Sequence, residues 1–565
     1  IEDGLKPVQR RILHALKDKD DGRFIKVANI VGHTMQYHPH GDASIADALV
    51  TLTNKRYLIE GQGNFGNIYT GDKAAASRYI ECRLTLLARN EIFNKELTEW
   101  IPSYDGRNNE PVHLPSKLPL MLMLGADGIA VGLSTTILPH NFIELLEAQI
   151  QLISIKKENF NRVKLDLFPD FLTGGKIDVS EYNKGNGKIK IRGKINFHKN
   201  NSLIITELPY GISTDSLISS IEEAIKKKKV PVRSIDDFTA EKVEVQLTLS
   251  QGADQKKARE ALFAFTKCET SISSRLIFLE KNRPKESTVN EVLWKNTQNL
   301  KYILQQELQL KKEKLLDNFH NKTLVQIFVE NRIYKKIEQC KTYESVLSSV
   351  ENGLSPFKNQ LKRNISIEDI EMLLGIRIKR ISLFDIEKNK DEIAQIIRDI
   401  KDIDKHLKEI DLYTKSYLSN LKKIYKKQYP RLTEVTGHQN QPGFKSVEVR
   451  ELTANELQIK QDESGYIGTN VKGETIIECS SLDKLLIVFG NGRYQVMPPP
   501  DKLFMDNNLI RCEIYNREKE FTAVYSEKSI CFIKRFVIGG AIMNRDYFLG
   551  QSEKSKLLLL TDGTP

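Results

Sequence analysis

The sequence predicts a multidomain α+β chain, and three observations carry that prediction. The chain has 565 residues, more than a single hydrophobic core usually organises. Its third quarter holds a lysine- and acid-rich stretch in which aliphatic residues return every seven positions. Mixed helix and strand patterns precede that stretch, and glycine-punctuated strand patterns follow it from about residue 445. A hydrophobic content of 40% and a charged content of 28% are those of ordinary globular proteins.

Residues 1–115 form the first region. Pro7 to Lys17 and Val27 to Gln36 have helical periodicity. A turn at His38-Pro39-His40-Gly41 follows, and Asp42 or Ser44 can cap a third helix running to about Thr53. Two short helices across a tight turn are compatible with a helix-turn-helix, which lays its second helix in the DNA major groove. In region 116–288 strands and helices alternate, with strands at Ile189 to Ile195, Ser202 to Leu208 and Val243 to Leu249, and a helix at Thr214 to Lys229.

Region 289–430 has almost no glycine or proline outside Gly353-Leu354-Ser355-Pro356 and Gly375. Ile386, Ile393, Ile400 and Leu407 mark one seam position of a heptad, and Ile396, Ile403, Ile410, Tyr417 and Ile424 the other. That pattern predicts a coiled coil, with Val292 to Lys336 as its antiparallel partner and a helical knob between them. An ordinary helical bundle is the alternative. In region 445–565 the strands Leu485 to Phe489 and Arg493 to Met497 flank Gly490-Asn491-Gly492, a hairpin signal. The run Lys484 to Phe489 is echoed at Lys556 to Thr561, which suggests repeated β-blades. The chain starts at Ile1 and stops at Pro565 just after a turn signal; both ends read as cut from something longer.

The formal net charge of +11 favours a polyanionic partner without identifying one. Six well-separated cysteines (82, 268, 340, 479, 512 and 531) form no CxxC, which argues against a zinc ribbon or a disulfide framework and suits a reducing compartment. No signal peptide opens the chain. Its most apolar stretch, Leu118 to Leu133, contains Asp127 and glycines, so it reads as buried core and no membrane partner is expected.

Gly61-Gln62-Gly63-Asn64-Phe65-Gly66 matches GxGxxG, but no helix start follows it, so a dinucleotide site is disfavoured. Close backbone approach, to phosphate or another chain, is the better use of these glycines. There is no P-loop. His38 and His40 could pair on a metal, but no third ligand is evident; phosphate contact or turn chemistry fits better, and no metal site is assigned. Ala76-Ser77-Arg78-Tyr79-Ile80-Glu81-Cys82-Arg83 sets an arginine beside a tyrosine, with a second arginine four residues on. A free tyrosine ionises near pH 10, so forming its phenolate at pH 7 costs roughly 4 kcal/mol. A nucleophilic tyrosine needs a base or fixed positive charge, which Arg78 could supply while also stabilising a pentavalent phosphorus. These residues permit that chemistry without establishing it.

The ordered set is more specific. Asp3-Gly4-Leu5-Lys6-Pro7-Val8-Gln9-Arg10-Arg11 resembles the N-terminal signature of bacterial type IIA topoisomerase A subunits, the gyrase and topoisomerase IV family. Tyr37-His38-Pro39-His40-Gly41-Asp42, the GxGxxG run, Ala76-Ser77-Arg78-Tyr79, Gly128-Ile129-Ala130-Val131-Gly132 and Pro139-His140-Asn141 follow in the family's order. The resemblance is dense over 1–145 and looser beyond. It implies a winged-helix DNA-gate domain, an α/β tower, a long antiparallel coiled coil ending in a helical C-gate, and the start of a β-pinwheel.

By that resemblance Tyr79 and Arg78 are catalytic. Lys6, Arg10, Arg11, His38 and His40 contact DNA phosphates, Gln62 and Asn64 lie near the gate, and Ile129 wedges between base pairs. Two Tyr79 residues of a homodimer form 5′-phosphotyrosyl links with opposite strands of double-stranded DNA, and a second duplex passes through. ATP and Mg²⁺ belong to a partner B subunit with ATPase and TOPRIM domains, in an A2B2 heterotetramer placed in the cytoplasm at the nucleoid. Asp402-Ile403-Asp404 is a DxD, but it falls within the coiled-coil pattern.

The sequence also departs from the family. Ala43 stands where a serine helps bind quinolones, although Asp47 keeps the acidic position, so weakened drug anchoring is expected. Asn29 replaces a common arginine. Val8-Gln9-Arg10-Arg11-Ile12 and the lack of a gyrase-box-like segment lean towards topoisomerase IV; gyrase is the alternative. A non-catalytic architectural DNA-binding coiled-coil protein is the alternative of another class.

Overall fold

The computed structural model describes the chain apart from residues 1–2, 131, 157, 160–162, 200, 281–282, 377–382, 439–440, 445–455, 482, 506–507, 529, 551–554 and 564–565. Ile1, Val131, Pro565 and the side chain of Ile386 therefore lie outside the described residues.

Near the N-terminus three helices pack around a small antiparallel sheet. Helix α1 spans Pro7–Asp18. Proline suits its first position because that amide would have no helical partner anyway, and the Gln9 side chain accepts from the Lys6 amide at 2.9 Å. Helix α2 spans Val27–Thr34 and α3 Asp42–Asn54. Neither predicted cap of α3 acts as one: Asp42 is the first helical residue, and the Ser44 hydroxyl donates back to the Gly41 carbonyl at 2.7 Å. Strands β1 (Ile25–Lys26), β2 (Ile59–Gln62) and β3 (Glu81–Leu84) form a sheet with β3 in the centre, where Ile59 faces Leu84 and Gln62 faces Glu81.

The core of this region holds Leu5, Ile12, Leu16, Ile30, Ile45, Leu49 and Cys82 and continues to Ile191. It also takes in Leu276, Val289 to Leu304, and Leu418 and Leu421. Packing thus crosses the boundaries that texture drew near 115 and 288. Within this core His140 and the Tyr182 hydroxyl share a 2.9 Å hydrogen bond.

A second core, from Ile195 to Cys268, is built on four strands in the spatial order Lys194–His198, Ser202–Glu207, Val245–Leu249, Val232–Asp237. The strand expected at 189–195 is two strands. Lys188–Arg192 pairs with Glu269–Ser273 in another sheet, and the chain crosses over at Gly193, where a Cβ would stand 2.7 Å from the Glu207 carbonyl oxygen. The helix Thr214–Lys226 stops short of Lys229 because Lys228 adopts φ +52°. The Lys229 amide then reaches back to the Ala224 carbonyl at 2.9 Å, closing the helix end.

The long helix Val289–Glu330 is capped by the Thr288 hydroxyl and ends where Arg332 turns left-handed. It packs against Leu383–Lys408. Salt bridges fix the direction: Lys301 pairs with Asp411, Lys312 with Asp404 at 2.6 Å, Lys322 with Glu392, and Glu330 with Lys390 at 2.8 Å. One number rises as the other falls, so the helices are antiparallel. Ile396 and Ile403 are buried in the seam as expected, and Asp404 of the DxD is a rung of this ladder.

The seam does not continue as the heptad reading had it. Glu409 leaves helical geometry (φ −111°, ψ 45°), and the chain restarts as Ile410–Tyr425. The restart changes which face is covered: Thr414, Leu418 and Leu421 are buried while Ile424 is exposed. The segment between the long helices forms its own knob around Leu324, Phe328, Ile333, Val350, Leu354, Ile370 and Leu373.

From Glu456 onward the described residues form strands and turns without a helix. The Leu485–Phe489 and Arg493–Met497 hairpin forms as predicted, with Leu485 facing Met497 and Gly492 at φ +77°. The echo strand, Lys556–Asp562, pairs with Glu520–Glu527 in a separate three-stranded sheet.

Candidate functional site

Tyr79 lies in a turn tied at both ends to α2. The Tyr79 amide donates to the Ala76 carbonyl at 2.8 Å. The Ser77 and Ile80 carbonyls accept the Ala28 and Val27 amides, each at 3.0 Å. Those are the first two helical amides of α2, which have no partner within their own helix, so helix end and turn satisfy each other. Ile80 and Cys82 anchor the following backbone in the core. The Tyr79 side chain itself points outward, 65% exposed, with the Arg78 guanidinium 4.6 Å from its ring centroid, a cation–π contact. Arg83 does not join them. It is held by Glu60 at 2.9 Å, by the Gly22 carbonyl and by the face of Phe24.

A second group links α1 to the HPH turn. Arg11 forms a two-pronged pair with Glu110 at 2.5 and 2.8 Å and donates to His38 Nδ1 at 2.8 Å. Guanidinium nitrogens only donate, so Nδ1 must be the acceptor and the ring proton resides on Nε2. Desolvation, then His40 and Arg11, hold the His38 pKa below its usual value, which favours this neutral tautomer. The His38 and His40 rings stack at 4.3 Å between centroids, so the turn presents two imidazole edges and an arginine together. That grouping can receive an anion through N–H donors.

Arg10 has a different task from its neighbour. Its guanidinium forms two bonds to Asp3 at 2.5 and 2.8 Å and one to the Leu5 carbonyl. Asp3 also accepts the Leu5 and Leu114 amides. In this structure Arg10 is a strut for the N-terminal segment; of the three cations read as phosphate contacts, Lys6 is the exposed one.

Gln62, at the end of β2, and Asn64 are exposed. Asn64 accepts the Gly66 amide on its side chain at 2.8 Å and the Ala75 amide on its carbonyl at 2.9 Å. The glycines of this run approach their own chain: a Cβ at Gly61 would meet the Phe65 ring, and Gly66, at φ +81°, stands against the Asp72 carbonyl. Ala43 and Asp47 sit one turn apart on the exposed face of α3, and Asn29 is exposed on α2. Ile129 is 94% exposed near the tip of the hairpin Ala126–Ala130/Leu133–Ile137. That hairpin is braced at its base by reciprocal backbone bonds between Thr136 and Arg275.

The structure thus joins Arg78 to Tyr79, and Arg11 to His38 and His40. Sequence reasoning missed Glu110 and assigned no role to Asp3, the buried acids that orient the two arginines. Glu110 lies 99 residues from Arg11 in a segment without a motif; the only available signal was that a buried acid must find a cation. Among the described residues no group of three or more His, Cys, Asp or Glu side chains is arranged to hold a metal ion. None of the described helices is long and apolar enough to cross a membrane.

Comparison with known proteins identifies the family. A family model described as the A subunit of DNA gyrase/topoisomerase IV matches residues 1–422, and one described as Topoisomerase C-terminal domain, Bacteroidota, matches residues 457–564. The chain is 41% identical over 563 residues to the DNA topoisomerase 4 A subunit of Borreliella burgdorferi, covering 98% of this chain and 88% of that protein. It is 31% identical over 492 residues to the DNA gyrase A subunit of Helicobacter pylori, covering 82% of this chain and 57% of that protein. With the Thermotoga maritima gyrase A subunit it shares 32% identity over 465 residues, 77% of this chain and 56% of the other. The chain belongs to the DNA gyrase/topoisomerase IV A-subunit family.

Proposed function

We propose that this chain is the DNA breakage-and-rejoining subunit of a type IIA topoisomerase of the topoisomerase IV kind, with Tyr79 as nucleophile. The observation that carries the reading is an exposed tyrosine, on a turn pinned to α2, with a guanidinium over its ring. The Tyr79 phenol oxygen attacks a backbone phosphorus. The bond from phosphorus to the 3′-oxygen breaks, and that oxygen leaves with a proton as a 3′-hydroxyl. Arg78 balances charge on the phosphoryl oxygens as five-coordinate phosphorus forms. The phosphotyrosyl ester retains the energy of the broken bond, so attack by the 3′-hydroxyl reverses the step without new input.

Lys6, Arg11, His38 and His40 receive the phosphates of the gate duplex; His38 does so through Nε2–H. Gln62 and Asn64 line the approach, and Ile129 is an apolar wedge that kinks the duplex. In this reading regions 1–115, 116–288, 289–430 and 445–565 are the winged-helix DNA gate, the tower, the coiled coil with its C-gate, and part of a β-pinwheel. The chain acts as a homodimer with two B subunits, in the cytoplasm at the nucleoid. Membership of the DNA gyrase/topoisomerase IV A-subunit family is the ground for assigning both Mg²⁺ and ATP to the partner B subunit.

Topoisomerase IV is favoured over gyrase by the breadth of the Borreliella match. The test is to incubate the chain and its B subunit with ATP, Mg²⁺ and either relaxed circles or linked circles. Unlinking without added negative supercoils is expected; net negative supercoiling would assign gyrase instead. An inactive pair whose DNA binding is intact would point to the architectural alternative.

A further inference from the structure

One loop touches both of the large cores described above. Residues 67–75 connect the glycine run to the turn that carries Tyr79. The loop is folded on Asn67, whose side chain accepts the Tyr69 amide at 2.8 Å and whose carbonyl accepts the Gly71 amide at 2.8 Å. On its outer side the Tyr69 ring packs against the Ile195–Cys268 core. The Tyr69 carbonyl accepts the Thr214 amide at 2.8 Å. Thr214 is the first residue of its helix, so that amide has no partner within the helix and is completed by the other unit. The Asn67 side-chain amide donates to the Ala240 carbonyl at 3.3 Å, and Gly71 lies against Ser213.

On its inner side the same loop is fastened to the catalytic segment. The Asn67 amide donates to the Asp72 carbonyl at 3.1 Å, and the Ala75 amide to the Asn64 carbonyl at 2.9 Å. Ala74 and Ala75 pack on the N-terminal core. Four residues after Ala75 comes Tyr79, whose own turn begins at Ala76. Downstream the turn is fixed by α2; upstream it continues from the loop seated on the Ile195–Cys268 core, the α/β module.

We propose that Tyr69 is a positioning residue for DNA cleavage: its ring and carbonyl dock the 67–75 loop on the α/β module and thereby set where the Tyr79 turn stands. A shift of that module against the N-terminal core moves the loop and, through it, the nucleophile, so DNA lying across both units is cut in register with their alignment. This rests on the reading of Tyr79 as nucleophile. The Tyr69 hydroxyl has no part in it, so phenylalanine suffices and alanine does not.

The experiment uses the full chain with its B subunit, supercoiled DNA and Mg²⁺, quenched with denaturant to count protein-linked breaks. DNA affinity and melting temperature are measured alongside for Tyr69→Phe, Tyr69→Ala, Asn67→Ala and Tyr79→Phe. Because ångström-scale misplacement of a reacting group costs up to about a hundredfold, Tyr69→Ala is expected to lower linked breaks about tenfold or more. DNA affinity should stay within twofold, and Tyr69→Phe should match the wild type. Asn67→Ala, which removes no core side chain, should fall in the same direction. It decides the matter if Tyr69→Ala does not fold: wild-type cleavage by Asn67→Ala then overturns the proposal. Wild-type cleavage by Tyr69→Ala, a defect in Tyr69→Phe equal to that of alanine, or a loss that merely follows DNA affinity or melting temperature also overturns it. Linked breaks from Tyr79→Phe would instead remove the nucleophile assignment itself.

Discussion

At the scale of single residues, the site depends on acids that hold cations in place. Glu110 orients Arg11, Arg11 fixes the His38 tautomer, and Asp3 takes up Arg10. Three cations that look equivalent in the sequence therefore have three environments. The motif residues themselves were legible, because their order and spacing survive in the sequence. Their partners were not, since a carboxylate 99 residues away leaves no local trace. Ala43 can be tested directly. It lies one turn from Asp47 on the open face of α3, and Ala43→Ser restores a hydroxyl able to hold a bridging water. One hydrogen bond is worth about 1 kcal/mol, so half-maximal quinolone trapping of cleaved DNA should need roughly fivefold less drug. Unchanged drug dependence would separate Ala43 from drug binding.

His140 makes a second prediction at this scale. Burial, and then the Arg431 charge, hold its pKa down to about 4, whereas an unfolded chain titrates near 6.5. Above pH 6.5 the imidazole is neutral in both states and stability is unaffected. Between 6.5 and 4 only the unfolded chain takes up the proton, so stability falls with pH, by about 3 kcal/mol across the window. Below 4 both states are protonated and the loss is complete. Urea unfolding of the N-terminal core at pH 7 and pH 5 should show the loss, and His140→Gln should make the dependence shallower. An identical slope in the variant would contradict the assignment.

At the scale of elements, period and punctuation were informative where a single neighbour covers an element. The predicted hairpin at Gly490–Gly492 forms, with Leu485 facing Met497, and the antiparallel helices pair through the predicted seam at Ile396 and Ile403. The heptad failed at Glu409, because one non-helical residue rotates the helix after it and a new set of neighbours then decides burial. Gly193 divides a strand for a related reason: its lack of a side chain lets the chain cross close to the Glu207 carbonyl. The phase change makes a paired prediction. Leu418→Ala, deep in the core, should cost about 2–5 kcal/mol, while Ile424→Ala should stay within about 0.5 kcal/mol. Denaturant unfolding of both variants checks it; equal losses would mean that the original heptad continues.

At the scale of the whole molecule, the sequence regions and the packing cores divide the chain differently. The N-terminal core reaches forward to Leu304 and takes in Leu418 and Leu421, so the base of the coiled coil is continuous with the unit that bears Tyr79. Three polar contacts tie the same places together: Tyr417 donates to Glu91, and Lys117 bridges Glu91 at 3.3 Å and Glu307 at 3.6 Å. Texture could not reveal this, because burial joins segments hundreds of residues apart while periodicity reports only on neighbours. The segment bearing Tyr79 and the base of the coiled coil therefore share one packed core.

The central claim is that Tyr79 becomes covalently joined to DNA. The most direct measurement is mass spectrometry of the protein after cleavage of supercoiled DNA by the complete A and B assembly, denaturation, and digestion with nuclease and protease. The peptide containing Arg78-Tyr79 is expected to carry a 5′-phosphorylated nucleotide on the Tyr79 oxygen, and Tyr79→Phe is expected to carry none anywhere. A nucleotide on any other residue, or adducts that persist in Tyr79→Phe, would contradict the account.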